Sequence, residues 1–397
     1  MLTVGEAKKI LAAKIKVLFP EKKKVTEALD FVLAENIRSP FDSPQFNQSA
    51  MDGFAIRIDY LPEGKPSISL PVIGEIKAGD QPILKLRPDT AVQILTGAAV
   101  PLNATCVVIQ EKTKVTEGQV IIPVSAVVKG SNIRFKGTQI RKGELALDKG
   151  MKLNPAAIGF LSSMGLTEIK VVRKPKISIL STGNELIEPE HELSPGKIYE
   201  SNSRMLYAAV KQSGFDAIVF EPVIDDGKKI LRQINNMLNA SDVLIISGGI
   251  SVGKYDLVKE VLIKLGVKEI FYKVSQKPGK PLFTGFIKDK LIFAVPGNPA
   301  ASLVCFYEYV VPSLRKMSGY RNHSLRTEFV PLAESFEMKS ERDLFLRARV
   351  ENGKVHIPKG QESNMLKSFS EANALVYLPA GTKKIPRGRK VEVHFLL

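Results

Sequence analysis

Tryptophan is absent from this 397-residue chain, cysteine occurs twice and histidine four times. Each scarcity closes off a class of reading. Cys106 and Cys305 are far apart and set in apolar contexts, TCVVI and LVCFYEY. They form neither a CxxC site nor a disulfide framework, and buried reduced thiols are expected. His191, His323, His356 and His394 lack the paired spacing of zinc ligands. No apolar run approaches the roughly 20 residues needed to span a bilayer. The opening MLTVGEAKKILAAKIKVLF is charged throughout and lacks a small-residue cleavage site, so it reads as a helix rather than a signal peptide. A cytoplasmic location with no membrane partner is expected.

Charge, in contrast, is plentiful and one-sided. The formal net charge is +16, which suits anionic partners. The densest lysine clusters, Lys22 to Lys24 and Lys383 to Arg389, lack the interleaved aromatics of a single-strand binding platform, so small anions are expected rather than nucleic acid. With 44% hydrophobic residues over this length, two to four domains are expected.

Apolar spacing predicts helices over Thr3 to Phe19 and again over Val25 to Ile37. The stretch SPFDSPQFNQSAMDGFAI has two Ser-Pro steps and no periodicity, and reads as an exposed loop entering a strand at Phe54. From about Gly74 to Leu153, short β-branched runs alternate with Gly and Pro turns and predict a mostly β domain. A short helix at Pro155 to Met164 and the strand EIKVV follow. From Lys174 to Met317 the runs KISILST, DAIVFEPVI, DVLIISGG and LIFAVPG alternate with amphipathic stretches at Arg204 to Ser213, Lys228 to Asn239, Asp256 to Leu265 and Ala300 to Lys316. That is the pattern of a parallel α/β sheet. From about Arg326, β runs return and predict a small barrel or sandwich.

In such a sheet the ligand crevice lies beyond the carboxyl ends of the strands. The loops there are unusual. SGGISVG offers small residues and free backbone N–H groups just before a helix, a geometry that favours phosphate oxygens. It matches neither GxGxxG nor the Walker A pattern, which argues against dinucleotide oxidoreductases and P-loop NTPases. Lys277 and Lys280 flank a Pro-Gly turn and could clamp an oxyanion. Glu185, Asp225 and Asp256 converge from three loops, and carboxylates beside phosphate call for a divalent cation such as Mg²⁺. Phosphoryl or nucleotidyl chemistry at a metal is the reading from the residues alone.

SAMDGFAI, GEIKAGD, ILTGAAVP, STGNEL, SNSRML, SGGISVGKYD, KPGKP and PGNPAAS, in this order and at these separations, resemble the molybdopterin molybdenumtransferase family, to which the matching domain of gephyrin also belongs. The resemblance spans nearly the whole chain. It implies an α/β and β multidomain fold, an elongated four-domain subunit. The expected parts are a discontinuous helical and linking domain (residues 1–40 and 140–173), a β-rich domain carrying the MDG and LTG loops (41–139), an α/β molybdopterin-binding domain (174–318) and a C-terminal β-barrel (319–397). It further implies a homodimer with the active site between subunits, into which Asp52 and Thr96 reach from the partner. Glu185, Asp225 and Asp256 would be the α/β carboxylates, with the metal on Asp52, Glu185 and Asp256. Substrate contacts would come from Asn202, Ser203, Gly248, Gly249, Ser251, Lys273, Lys277, Lys280, Pro296, Pro299, Arg347 and Ser363. One departure stands out: where many members read Gly-Glu-Asp after the NIR run, this chain has Gly137-Thr138-Gln139.

The implied reaction inserts molybdate or tungstate into adenylylated molybdopterin and releases AMP, with Mg²⁺ at the pyrophosphate. Transient contact with the adenylyltransferase that makes that substrate is expected. Two alternatives compete. An adenylyltransferase shares the SGG loop but is usually a single α/β domain, whereas about 170 residues precede this one. A gephyrin-like scaffold has no need to keep these carboxylates and lysines.

Overall fold

The computed structural model describes residues 1–81, 85–250, 256–338 and 340–396. They fall into two compact units, one of Glu35–Lys149 with Pro155–Thr167, the other of Met1–Ala34, Gly150–Asn154 and Glu168–Leu397. Among the described residues no helix is long and apolar enough to cross a membrane.

The first helix of the larger unit, α1 (Val4–Lys14), starts at a capping box in which Thr3 and Glu6 satisfy each other's backbone N–H. It buries Val4, Ala7 and Leu11. The second helix expected at Val25 to Ile37 does not form. Only a 3-10 turn, Val25–Glu27, stands there, followed by the short strands Val32–Leu33 and Ile37–Arg38. Pairing decided against the apolar period. Pro20–Lys24 and Val32–Leu33 flank the strand Glu168–Val172, both antiparallel to it, and Asp30 between them takes a left-handed φ of 64° that ends any helix.

The smaller unit holds a six-stranded sheet in the order Cys106–Ile109, Gly53–Arg57, Thr90–Ile94, Ser67–Ile76, Gln119–Pro123, Lys114–Thr116. Alternation along the strands builds two apolar faces. Phe54, Ile56, Val108 and Val120 belong to one cluster, and Ala55, Val92, Ile94 and Val107 to the other. Gly53, at the entry to its strand, is required by close approach, since a Cβ there would lie 2.0 Å from the Val108 carbonyl oxygen.

The α/β part of the larger unit runs β1 (Ile177–Ser181), α2 (Asn202–Gln212), β2 (Ala217–Val219), α3 (Gly227–Ala240), β3 (Val243–Ser247), α4 (Leu257–Lys264), β4 (Lys268–Tyr272), β5 (Phe283–Ile287) and β6 (Lys290–Val295). Its sheet has the order β2-β1-β3-β6-β5-β4. The first four strands are parallel, and β5 and β4 add on antiparallel. Every residue of β1 and β3 is buried, as both faces of a parallel sheet must be. Ile177, Ile179, Val243 and Ile245 face a core shared with α1 and α2. Leu180, Leu244 and Ile246 face Ile230, Ile234 and Met237 of α3. Beyond β6, a helix at Pro299–Cys305 passes through a π turn, Phe306–Val310, into Val311–Met317. The C-terminal strands Thr327–Pro331, Asp343–Glu351, Ala374–Leu378 and Lys390–Phe395 form one sheet, whose edge is extended by Gln276–Lys277 pairing parallel to Asp343–Leu344.

The π turn carries Glu308, whose side chain is 1% exposed and pairs with Lys8 of α1. His394 of the last strand places Nδ1 2.8 Å from Glu308 Oε1 and Nε2 3.0 Å from Glu392 Oε1. Burial alone would raise the Glu308 carboxyl, but the Lys8 ammonium and His394 outweigh it and hold it low. Burial alone would lower the His394 imidazole, and Glu308 reverses that and raises it. The histidine's contribution to stability is therefore full below its ordinary value of 6.5 and is lost as pH rises through the raised folded value. That of Glu308 is present above 4.5 and is lost as pH falls through its lowered value. His394→Gln is expected to cost about 1–3 kcal/mol at pH 6 and clearly less at pH 9 by urea unfolding. A loss independent of pH would remove the imidazolium from the account.

Candidate functional site

Register brings the chemistry together. Ser181 pairs with Ser247 and Ser247 with Val295, so β1, β3 and β6 end level, and a parallel bridge from Thr182 to Val223 adds the chain leaving β2. The four loops that follow enclose a cavity of about 580 Å³ whose walls include Glu185, Asp225, Asn202, Gly248, Gly249, Pro296 and Pro299.

The wall is built for close approach. Gly248 and Gly249 take φ of 93° and 61°, and a Cβ on Gly248 would lie 2.2 Å from the Thr182 carbonyl oxygen. Asn202, first residue of α2, donates from Nδ2 to Ser247 Oγ at 2.9 Å and to the Gly297 carbonyl at 2.6 Å, tying the helix start to two strand ends. Ser203 is a different case from the one expected. It is buried, with its N–H and hydroxyl donating to the two oxygens of the equally buried Glu200 at 2.9 and 2.6 Å, so it secures the start of α2.

Asp225 and Asp226 divide their labour. Asp226 caps α3, accepting from the N–H groups of Lys228 and Lys229 at 2.9 Å, and those bonds help hold its carboxyl low. Asp225 faces the cavity, and burial, followed by the neighbouring Glu185 carboxylate, pushes it up. Thr182 is close enough to offset a little of this, though without a well-formed hydrogen bond, and one oxygen of Asp225 has no partner among the described residues. Two carboxylates so placed fit a cation between them.

Asp256 stands at the head of α4, where it makes no side-chain cap. It accepts a hydrogen bond from Tyr272 Oη at 2.8 Å. Burial and then Asp256 raise the Tyr272 phenol well above its ordinary value, so it remains a donor. Lys273 adopts a left-handed φ of 69° and sets its ammonium 4.6 Å from the Tyr272 ring centre.

The KPGKP turn is clamped from below. Gln276, fully buried, donates from Nε2 to the Pro278 carbonyl at 3.0 Å and accepts from the Tyr309 hydroxyl. A Cβ on Gly279 would lie 2.7 Å from Cys305 Sγ. Both cysteines are free and buried, as their contexts predicted, and Cys305 serves as packing under this turn. Lys277 is exposed and Lys280 half-buried. Pro281 reaches the cavity wall, but Lys273, Lys277 and Lys280 do not line it.

Arg347 is fully buried. Its Nε donates to Ser368 Oγ at 3.2 Å, and its Nη2 to the carbonyls of Gly360 and Glu362 at 2.5 and 3.2 Å. It thus braces the loop carrying Ser363, which accepts from Asn298 Nδ2 at 2.9 Å beside the cavity. The direct molybdate contact expected of Arg347 is replaced by a link through that loop, though its Nη1 has no partner among the described residues. Ser302, which the motif reading missed, likewise has a buried hydroxyl without a partner among them. The loop around Asn298 is the signal that could have found it, since Ser302 N–H donates to the Asn298 carbonyl.

In the smaller unit the MDG and LTG loops meet, and Thr96 donates its N–H and hydroxyl to Asp52 Oδ1, both at 2.7 Å. Those bonds hold the Asp52 carboxyl low. Gln139 is exposed, with Oε1 accepting from Ser43 at 3.2 Å. The expected metal set of Asp52, Glu185 and Asp256 is split between the two units, and among the described residues no three His, Cys, Asp or Glu side chains come together as a metal site. Ser251 lies outside the described residues.

A glycine-walled cavity of about 580 Å³ at the carboxyl edge of a mostly parallel sheet defines an α/β protein with its ligand crevice at the strand ends, here with β-rich parts before and after it. Comparison with known proteins narrows the class. Residues 2–165 match the model of the MoeA N-terminal region (domain I and II), residues 178–316 that of a probable molybdopterin binding domain, and residues 330–396 that of the MoeA C-terminal region (domain IV). A molybdopterin molybdenumtransferase of Staphylococcus epidermidis is 33% identical over 374 residues, 92% of this chain and 89% of the relative. One from Nostoc sp. is 34% identical, over 91% of this chain and 85% of the relative. The crystal structure of the molybdopterin biosynthesis MoeA protein from Pyrococcus horikoshii OT3 superposes with a TM-score of 0.85 at 30% identity, covering all of both chains. The chain belongs to the molybdopterin molybdenumtransferase family.

The strained acid in the cavity makes a checkable statement. A carboxyl raised in the folded state costs stability once pH exceeds its ordinary value of 3.8. Asp225→Asn is therefore expected to raise the melting temperature at pH 7.5, with the gain shrinking as pH falls toward 4. Thermal melts at the two pH values decide it, and equal melting temperatures throughout would show that the buried acid carries no penalty.

Proposed function

We propose that this chain inserts molybdate, or tungstate, into adenylylated molybdopterin with release of AMP. The observation that carries the reading is one cavity holding both a backbone cradle fit for phosphate, at Gly248 and Gly249, and an unneutralised carboxylate pair, Glu185 and Asp225. An acidic pair beside a phosphate cradle makes sense for a pyrophosphate substrate that arrives with a cation.

The substrate pyrophosphate lies along Gly248, Gly249 and Ser251, with Asn202 at the nucleotide border, Ser203 securing the helix start behind it, and Pro296 and Pro299 opposite. Molybdate is held by Lys277 and Lys280, with Lys273, Ser251 and Ser363 contributing. Arg347 acts on the bound oxyanion through Ser363, whose loop it braces. Glu185 and Asp256 hold Mg²⁺ together with Asp52, which a second copy of the chain supplies along with Thr96. A divalent cation held by these carboxylates would supply charge compensation for the pyrophosphate. Asp225 stands beside Glu185 on the same wall and faces the same cation site. Gln139 takes the place of an acid here, so the metal is held by fewer charges. The enzyme works in the cytoplasm as a homodimer, and meets the adenylyltransferase that makes its substrate in passing.

A single-turnover assay with adenylylated molybdopterin, molybdate and Mg²⁺ is expected to give molybdate-dependent AMP release together with metal-loaded cofactor. ATP consumption on free molybdopterin instead would move the activity to adenylylation. Asp256→Asn is expected to abolish AMP release while the protein stays folded and dimeric. Mixing Asp52→Asn with Asp256→Asn subunits tests the shared site. Each variant alone is inactive, and the randomly reassorted mixture recovers about a quarter of wild-type activity. No recovery would place both aspartates in one subunit's site.

A further inference from the structure

Tyr272 touches two residues that the proposed reaction needs, through two different chemical faces. At its tip the phenol donates to Asp256 Oδ2 at 2.8 Å. On its ring, the Lys273 ammonium sits 4.6 Å from the centroid and that of Lys259 3.9 Å. Lys259 is itself anchored by Glu269 at 3.3 Å. All five residues belong to α4, to β4 and to the residues that flank them.

The backbone explains why this side chain is the joint. Tyr272 ends β4 opposite Phe283 of β5. The next two residues bond to the exit of the lysine turn, Lys273 N–H to the Leu282 carbonyl at 3.1 Å and Val274 N–H to the Lys280 carbonyl at 3.0 Å. From the other side, Val258 N–H donates to the Gly249 carbonyl at 3.4 Å, which ties the head of α4 to the glycine cradle. The tyrosine spans from one of these supports to the other. A ring close to two ammonium groups stabilises both through its quadrupole, and a phenol bonded to a carboxylate fixes that carboxylate's rotamer.

We propose that Tyr272 is a positioning residue for the reaction assigned above, its hydroxyl setting the Asp256 carboxylate and its ring setting the Lys273 ammonium, so that acid and base present a fixed spacing to the substrate. The inference rests on that reading for its catalytic consequence and on the geometry for its structural one. The two arms of the test separate them.

The kinetic arm compares Tyr272→Phe and Tyr272→Leu with the wild type. Phenylalanine keeps the ring and loses the hydroxyl. It is expected to lower kcat for AMP release roughly tenfold with KM for both substrates nearly unchanged, the size expected for losing one hydrogen bond to a charged group. Leucine also loses the ring and is expected to raise the molybdate KM severalfold in addition. Wild-type kinetics in the phenylalanine variant, or kcat and KM falling off together with the melting temperature, would overturn the positioning role.

The second arm needs no turnover. The chain has nine tyrosines and no tryptophan, so tyrosine absorption is seen without overlap from indole. Asp256→Asn and Tyr272→Phe are expected to remove the same red-shifted near-ultraviolet feature of a phenol bonded to a carboxylate, and the double variant no more than either. A tyrosine spectrum unmoved by Asp256→Asn would overturn the inference whatever the enzyme does. A wild type that releases no AMP yet shows the shared spectral loss would retain the joint and discard the reaction.

Discussion

The structure depends on a register. Because Ser181, Ser247 and Val295 lie side by side across three parallel strands, the loops after those strands leave the sheet at one level and face one another. Neither the glycines nor the carboxylates would form a site if one strand slipped by a residue, since a slip exchanges the two faces of a strand. Burial on both faces prevents it. Ile179 and Ile245 belong to the core shared with α1, and Leu180 and Ile246 to the core under α3, so each strand is pinned from above and below. The hydrophobic effect thus sets the position of polar chemistry that contributes little to stability and, at Asp225, opposes it.

Much of this was legible from residue order. The strand-loop-helix rhythm from Lys174 onward put the four α/β helices within a few residues of where they lie, and the rule that ligands bind beyond strand ends pointed to loops that line the cavity. The wall residues Glu185, Asp225, Gly248, Gly249, Pro296 and Pro299 follow from it. Where the reading failed, pairings that the motifs do not display decided. Val25 to Ile37 has a helical period, yet Glu168–Val172, more than a hundred residues away in sequence, recruits Val32–Leu33 within it and Pro20–Lys24 just before it into a sheet. Ser203 looked like a ligand because it follows Asn202 in SNSRML, but a buried Glu200 three residues earlier claims its hydroxyl. Arg347 looked like an oxyanion contact, and its burial under the 360–363 loop is visible only in three dimensions.

Tyr272 illustrates the same limit from the other direction. Nothing in FYKVSQ marks the tyrosine as functional, and an aromatic at a strand end is usually packing. Its meaning comes from which groups the fold delivers to it, a carboxylate from the head of one helix and two ammonium groups from either side in sequence. Motif reading sees the groups that touch a substrate. It does not see the side chains that hold those groups.

The clamp on the KPGKP turn has a mechanical side. Gln276 is at once the brace of that turn and a member of the C-terminal sheet's edge, paired with Asp343, while Lys277 continues the pairing with Leu344. The lysine turn is therefore stitched into the last domain's sheet as well as into the α/β fold. Any tilt of that sheet pulls on the turn through two backbone pairs rather than through loose side chains. The lysines behave as the tip of a lever whose long arm is the C-terminal sheet, so a contact made far out on that sheet has a direct hydrogen-bonded backbone route to the spacing between Lys277 and Lys280.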